Sequence, residues 1–156
     1  MRPIVLLRIV AVGAVLLGGV AHADTGNVRS AAEQFDAGRR AYKAGDFAEA
    51  ARSFEAAYLD APNPEALRSA IVARQKAKQL ARAATLAAYG ERTYPGDATL
   101  AAASRDVLAA ARPALGSFVA ACTPKCAVAV DGQLATVTDD TRSVVFLEPG
   151  AHSVRV

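Results

Sequence analysis

Few side chains in this chain could do chemistry. Cys122 and Cys126 stand four residues apart, and His22 and His152 are the whole imidazole complement. Two of each leave almost no material for a metal site. A general base needs a nucleophile or an orienting partner, and no patterned Ser or Cys accompanies His152. Asp131-Gly132 has the form of a hairpin turn, not a Ca²⁺ loop, because no ligand series follows it, and Asp139-Asp140 falls in a further turn. No phosphate-binding loop or zinc motif is present. These residues point to a non-enzymatic chain with no catalytic residue, no cofactor and no metal.

The remaining chemical feature is a basic run, Arg74, Lys76, Lys78 and Arg82. Arg74, Lys78 and Arg82 are spaced i, i+4 and would share a face if one helix carried them all. Such a run is expected to be a solvated face, the alternative being a specific anion site. Net charge bears on the choice. The chain of 156 residues is 53% hydrophobic and 21% charged, with a formal charge of +3. Residues 1–23 combine a basic start, an apolar run from Ile4 to Val20 broken by Arg8, and the end Ala21-His22-Ala23. That pattern predicts a secretory signal cleaved after Ala23. Arg8 leaves a clean apolar stretch shorter than the ~18–20 residues that span a bilayer. The signal takes two basic residues with it, so the mature chain carries 16 basic against 15 acidic residues. A charge so near zero argues against a nucleic-acid or anionic-membrane partner. No Cys follows the apolar run to carry a lipid anchor, and the expected location is periplasmic or secreted, with no membrane span after cleavage. In an exported chain Cys122 and Cys126 most simply form a disulfide, here clamping the first β-turn. So short a ring contributes about 2 kcal/mol at most. A redox-active pair would instead favour C-x-x-C at a helix start.

The elements that position these residues are helical first. Alanine supplies 38 residues, which favours helix but buries little surface per side chain. Ser30-Ala-Ala-Glu33 has the form of a capping box, predicting a helix from there to Ala44, ended by a left-handed Gly45. Asp46 caps a second helix with the apolar stripe Phe47, Ala50, Phe54, Ala57 and Tyr58. Asn63-Pro64 starts a third, and Asp97 caps a last one through about Ala111. Gly38 would let a neighbouring helix approach closely.

Gly38, Tyr42, Gly45-Asp46-Phe47, Ala50, Phe54, Ala57 and Pro62-Asn63 resemble the tetratricopeptide repeat, with its usual early aromatic represented by Phe35, one position displaced. A second, weaker unit spans Pro64 to Gly96, where Ile71, Ala84, Ala88 and Pro95 fit and Val72 replaces a small residue. The resemblance implies a groove lined by the first helix of each repeat, here Phe35, Arg39, Tyr42, Lys43, Ser69 and Lys76. A Tyr and a Phe flanked by cations suit an acidic or C-terminal carboxylate segment. Packing of Phe35 and Tyr42 in the core, with the cations solvated, is the plainer alternative.

From Ser117 onward Pro, Gly, Thr and Val replace the alanine helices. Runs at Ser117–Cys122, Cys126–Val130, Arg142–Leu147 and His152–Val156 predict antiparallel strands. The stretch from Pro124 through Asp131-Gly132 is similar to the opening of a PEGA domain. Pro149-Gly150-Ala151-His152-Ser153-Val154-Arg155-Val156 is similar to that family's second signature, although Lys125 and Cys126 replace the Glu and Gly of the first. The resemblance implies a small β-sandwich of bacterial envelope proteins. The chain stops at Val156 inside an expected strand, so the sandwich is expected to be incomplete: either the chain is a fragment or another chain pairs the open edge.

The expected architecture is α+β: signal peptide 1–23, tetratricopeptide-like helical domain 24–116 and partial PEGA-like β-domain 117–156. The expected function is an exported, non-enzymatic interaction or scaffold protein whose groove binds a peptide or protein partner in the cell envelope. The alternative is a structural spacer whose β-module sits on cell-wall glycan.

Overall fold

A computed structural model of the chain describes residues 23–156. The expected signal segment lies outside these residues apart from Ala23. Five helices, α1 (Ala23–Ala44), α2 (Phe47–Asp60), α3 (Pro64–Lys76), α4 (Leu80–Thr93) and α5 (Ala98–Ala111), precede five strands. These are β1 (Gly116–Cys126), β2 (Ala129–Val130), β3 (Gln133–Leu134), β4 (Asp140–Leu147) and β5 (Val154–Arg155). The class is α+β, with all the helices first and small antiparallel sheets after them. Among the described residues no helix is long and apolar enough to cross a membrane.

Local chemistry explains the end of α1 and the starts of α2, α3 and α5. Gly45, at φ +83°, closes α1, with Gly45 N–H donating to Tyr42 C=O and Asp46 N–H to Ala41 C=O. This is the paired arrangement that satisfies terminal carbonyls. Asp46, Asn63 and Asp97 each accept the backbone N–H three residues on, at 3.1, 2.9 and 2.8 Å. The capping box expected at Ser30 is not used, because α1 is already running there. The Ser30 hydroxyl finds a better acceptor across the hairpin, Asp60 Oδ2 at 2.5 Å, while Glu33 faces Arg29.

Each helix packs on the next, and α3 also touches α5. Alanines at 50, 51, 57, 66, 70, 73, 83, 84 and 87 are buried and let the axes come close, with Phe54, Tyr58, Leu67, Ile71, Leu86 and Leu100 filling the gaps. Gly38 is the tightest approach: a Cβ there would stand 2.7 Å from the Phe54 ring.

In the sheet region β1 pairs only with β4, and β2 pairs with both β3 and β5. Asp131 and Gly132, at φ +51° and +78°, form the two-residue hairpin turn that their types predict. The strand boundaries differ from those expected. No turn separates Cys122 from Cys126; β1 runs through both. Ala121 pairs with Arg142 and Cys126 with Asp140, so four residues of β1 oppose Thr141 alone. The cysteines stand at disulfide distance, Cα–Cα 5.8 Å, across this bulge within one strand. The second expected run contracts to Ala129–Val130, and His152 precedes β5 instead of lying in it.

The sheets close on α4. Val137 and Phe146 belong to the same apolar core as the helices. The buried Thr85 hydroxyl accepts the Phe146 N–H at 3.0 Å and donates to Ala81 C=O at 3.0 Å. A smaller cluster of Ala120, Val128 and Val145 lies apart from that core.

Gly38→Ala should lower stability by about 1–3 kcal/mol in urea unfolding, because the forced shift of Phe54 outweighs the helix propensity gained. An unchanged or raised midpoint would show that the helices can separate at no cost.

Candidate functional site

A concave surface on the helices lies between the first helices of the two hairpins. Arg39, Tyr42 and Lys43 of α1 face Arg68, Ser69 and Val72 of α3 across Phe54 of α2, around a cavity of about 320 Å³. The order of helices explains this placement: α1 and α3 lie on the same side of α2, so residues far apart in sequence meet there. Tyr42 is half-buried, its ring 5.1 Å from Phe47 and edge-on to it. Arg39 lies 3.5 Å from Asp36. Lys43 and Arg68 make no ion pair within 4 Å among the described residues. Aromatic floor and cationic rim together suit an anionic group carried on an apolar or aromatic body.

Four of the six groove residues named from sequence meet here, namely Arg39, Tyr42, Lys43 and Ser69. Phe35 stacks on Phe54 at 5.1 Å and faces a separate hollow with Val28 and Ala31. Lys76 ends α3, is exposed and does not line the cavity. Arg68 and Phe54 were not among the named groove residues. Arg68 precedes Ser69, so a cation adjacent to a groove position was the available signal.

The basic run divides: Lys76 and Lys78 are exposed, as a solvated face requires, whereas Arg74 and Arg82 are not. α3 ends at Lys76, and Lys78 turns the chain at φ +59°, with Lys78 N–H bonded to Gln75 C=O and Gln79 N–H to Arg74 C=O. One helix therefore does not carry all three cations. Arg74 and Arg82 instead converge on Glu55 of α2, which is 12% exposed. Arg74 Nε donates to Glu55 Oε1 at 2.6 Å and Arg82 Nη2 to Oε2 at 2.7 Å. Burial pushes the Glu55 carboxyl up, but the charges and hydrogen bonds of Arg82 and Arg74 together outweigh it and hold it below the ordinary value. Arg74 also bonds Gln79, and Arg82 bonds Ala135 C=O in the sheet region. A second ion pair, Arg92 with Asp140, joins α4 to β4. Nothing in local spacing links Glu55 to these cations, which lie 19 and 27 residues away.

His152 has both ring nitrogens occupied: Nδ1 lies 2.7 Å from Asp131 Oδ2 and Nε2 2.8 Å from Glu148 C=O. Both partners are acceptors, so the doubly protonated ring satisfies them best. The hydrogen bond to Asp131, then that to Glu148, raises the His152 pKa above its ordinary 6.5. The same hydrogen bond, with that from Ser153 N–H, lowers Asp131 below 3.8. The Ser153 hydroxyl lies on the Asp131 carboxylate, 3.3 Å away, so this Asp-His-Ser grouping leaves no ring nitrogen free to activate it. Its role is to fasten β5 and the Glu148–Gly150 turn to the β2–β3 hairpin. Among the described residues no cluster of three His, Cys, Asp or Glu could hold a metal ion.

Comparison of the chain with protein families, curated proteins and solved structures gave no match.

Two consequences are measurable. Glu55→Ala leaves two guanidinium groups without their carboxylate and should cost about 3–5 kcal/mol in urea unfolding; a loss under about 1 kcal/mol would mean that water already screens the group. The His152 clamp has a defined pH window. A raised histidine pKa stabilises fully below about pH 6.5 and fades as pH rises through the raised value, whereas a lowered aspartate stabilises above about pH 4 and fades as pH falls through the lowered value. Amide exchange at Asp131, whose N–H donates to Ser153 C=O at 2.9 Å, should therefore be slower near pH 5 than at pH 8.5, after correction for intrinsic rates, and His152→Gln should flatten the difference. Equal protection at both values would remove the clamp from the account.

Proposed function

We propose that this chain is an exported, non-enzymatic interaction or scaffold protein whose helical groove holds an acidic or carboxylate-ended segment of an envelope partner. The observation carrying this reading is the cavity between α1 and α3, where Arg39, Lys43 and Arg68 surround Tyr42 and Phe54. The helices read as stacked tetratricopeptide-like hairpins, α1–α2 and α3–α4, with α5 closing the stack. In support, consecutive helices pack in sequence order, α3 reaches α5, and the groove lies on the first helix of each hairpin. The strands read as part of a PEGA-like sandwich that provides a second contact or a spacer. Export rests on the tripartite pattern of residues 1–23, and the cysteine pair at disulfide distance suits an oxidising compartment.

Fluorescence anisotropy with a labelled peptide ending in Asp and a free carboxylate tests the groove. Binding should weaken as salt rises, and Arg39→Ala/Lys43→Ala/Arg68→Ala should weaken it about tenfold or more. Amidation of the peptide's last residue should also reduce affinity. If the triple variant bound the peptide as tightly as the natural chain, the groove would not be the binding surface.

A further inference from the structure

The helices and the sheet do not meet along their whole length. Val144 and Phe146 pack against the helical core, but beside the end of α5 the layers part and leave a cleft of about 540 Å³. That volume falls in the range of small-molecule sites, about 300–1,000 Å³. The floor is apolar, built from Leu108, Leu115, Val144 and Phe146. Val119 stands opposite Val144 in the β1–β4 register, hence on the same sheet face, and is one of few large apolar side chains left exposed.

The rim is cationic. Arg92 comes from α4, Arg112 from the residue after α5, and Arg142 from the same face of β4 as Val144 and Phe146. Arg92 is matched by Asp140, and Glu91 shares the rim. Among the described residues neither the Arg112 nor the Arg142 guanidinium has a carboxylate oxygen within 4 Å, and Asp140, which pairs with Arg92, meets only the backbone N–H of Arg142. Two unpaired guanidinium groups therefore stand over an apolar floor, with Glu91 the one carboxylate in the lining.

The walls are the two helices α4 and α5 and two mutually paired strands, whose backbone groups are largely spent within those elements. Apart from the charged groups, Ser117 is the one polar side chain in the lining. A peptide laid here would leave many of its own amides without partners, whereas a hydrocarbon body would not. We propose that the cleft between α4, α5 and β4 binds a small anionic amphiphile, its carboxylate or phosphate head held by Arg112 and Arg142 and its hydrocarbon body laid over Leu108, Leu115, Val144 and Phe146. This assignment is independent of the peptide groove, which lies on other helices.

Calorimetric titration of the chain with decanoate and with octyl phosphate tests it. At least one of the two should bind saturably. Arg112→Gln/Arg142→Gln should weaken that binding about tenfold or more, and Arg52→Gln, on α2 and in neither cavity, should leave it unchanged. Inorganic phosphate alone and octyl glucoside should each bind far more weakly, since each has half of the required chemistry. Both arginines are exposed, and far-UV circular dichroism checks that the double variant stays folded. Flotation with anionic phospholipid vesicles separates the sources of the head: arginine-dependent flotation assigns it to a membrane lipid, and retained decanoate binding without flotation assigns it to a free acid. Three results would overturn the proposal: no saturable binding of either amphiphile, equal binding by the double variant, or a dimer in sedimentation velocity that Arg142→Gln abolishes, which would give the cleft to a second copy.

Discussion

A carboxylate carried into a protein interior must take its counter-charges with it, and Glu55 draws two distant parts of this chain together for that reason. Each of its oxygens meets a different guanidinium, one from the last turn of α3 and one from the first turn of α4. For both to converge, the chain has to reverse between them, and it does so through Lys78 in the left-handed region without a glycine. Arg82 then spends a further N–H on Ala135 C=O, so the group that sets the second helical hairpin on the first also places the sheet region on α4. Thr85 and Arg92, further along α4, repeat the connection through Phe146 N–H and Asp140. α4 thus carries three separate polar attachments to the strands as well as the shared apolar core.

The other constraint is the small volume of the core side chains. Alanine at most interior positions brings helix axes close but supplies little apolar area, so the few large residues matter disproportionately. Phe54 fills the space that Gly38 leaves open and also forms the back wall of the groove between α1 and α3. Packing and proposed recognition therefore meet in one ring. Tyr58 shows the same economy at the α2–α4 contact, where its hydroxyl lies 2.9 Å from that of Tyr89 and 3.3 Å from that of Tyr94. The proposed cleft beside α5 is the converse case, a place where small side chains and a departing strand leave apolar surface uncovered.

How much of this was legible follows from the range of the interactions. Gly45, Asp46, Asn63 and Asp97 act on groups within five residues, and the end of α1 and the starts of α2, α3 and α5 followed from them, whereas the break between α3 and α4 at Lys78 has no side-chain cap to announce it. The Asp131-Gly132 hairpin is equally local. Ser30 fails the same reasoning because its hydroxyl has a choice of acceptor, and the one it takes lies on α2. The cysteines were legible as a pair from their count and the expected export, but not as a clamp on a bulge, since that depends on which residues of β4 stand opposite. Four of the residues around the cavity were named through the tetratricopeptide resemblance, which implies that the first helices of successive hairpins line one groove. Lys76, named in the same way, does not line it, because α3 ends there.

What the sequence by itself determined is the class and order of the elements: helices where alanine and capping residues recur, strands where β-branched residues and turn dipeptides replace them. Those are properties of neighbours along the chain, and the interactions that enforce them span a few residues. What only the tertiary structure decided is which charges lose their water. Arg74 and Arg82 read as solvated cations until α2 brings Glu55 between them; Arg112 and Arg142 stay exposed, and only the passage of β4 beside α5 sets them over one apolar floor. Burial and pairing of charge depend on groups far apart in sequence, and no local pattern encodes that meeting.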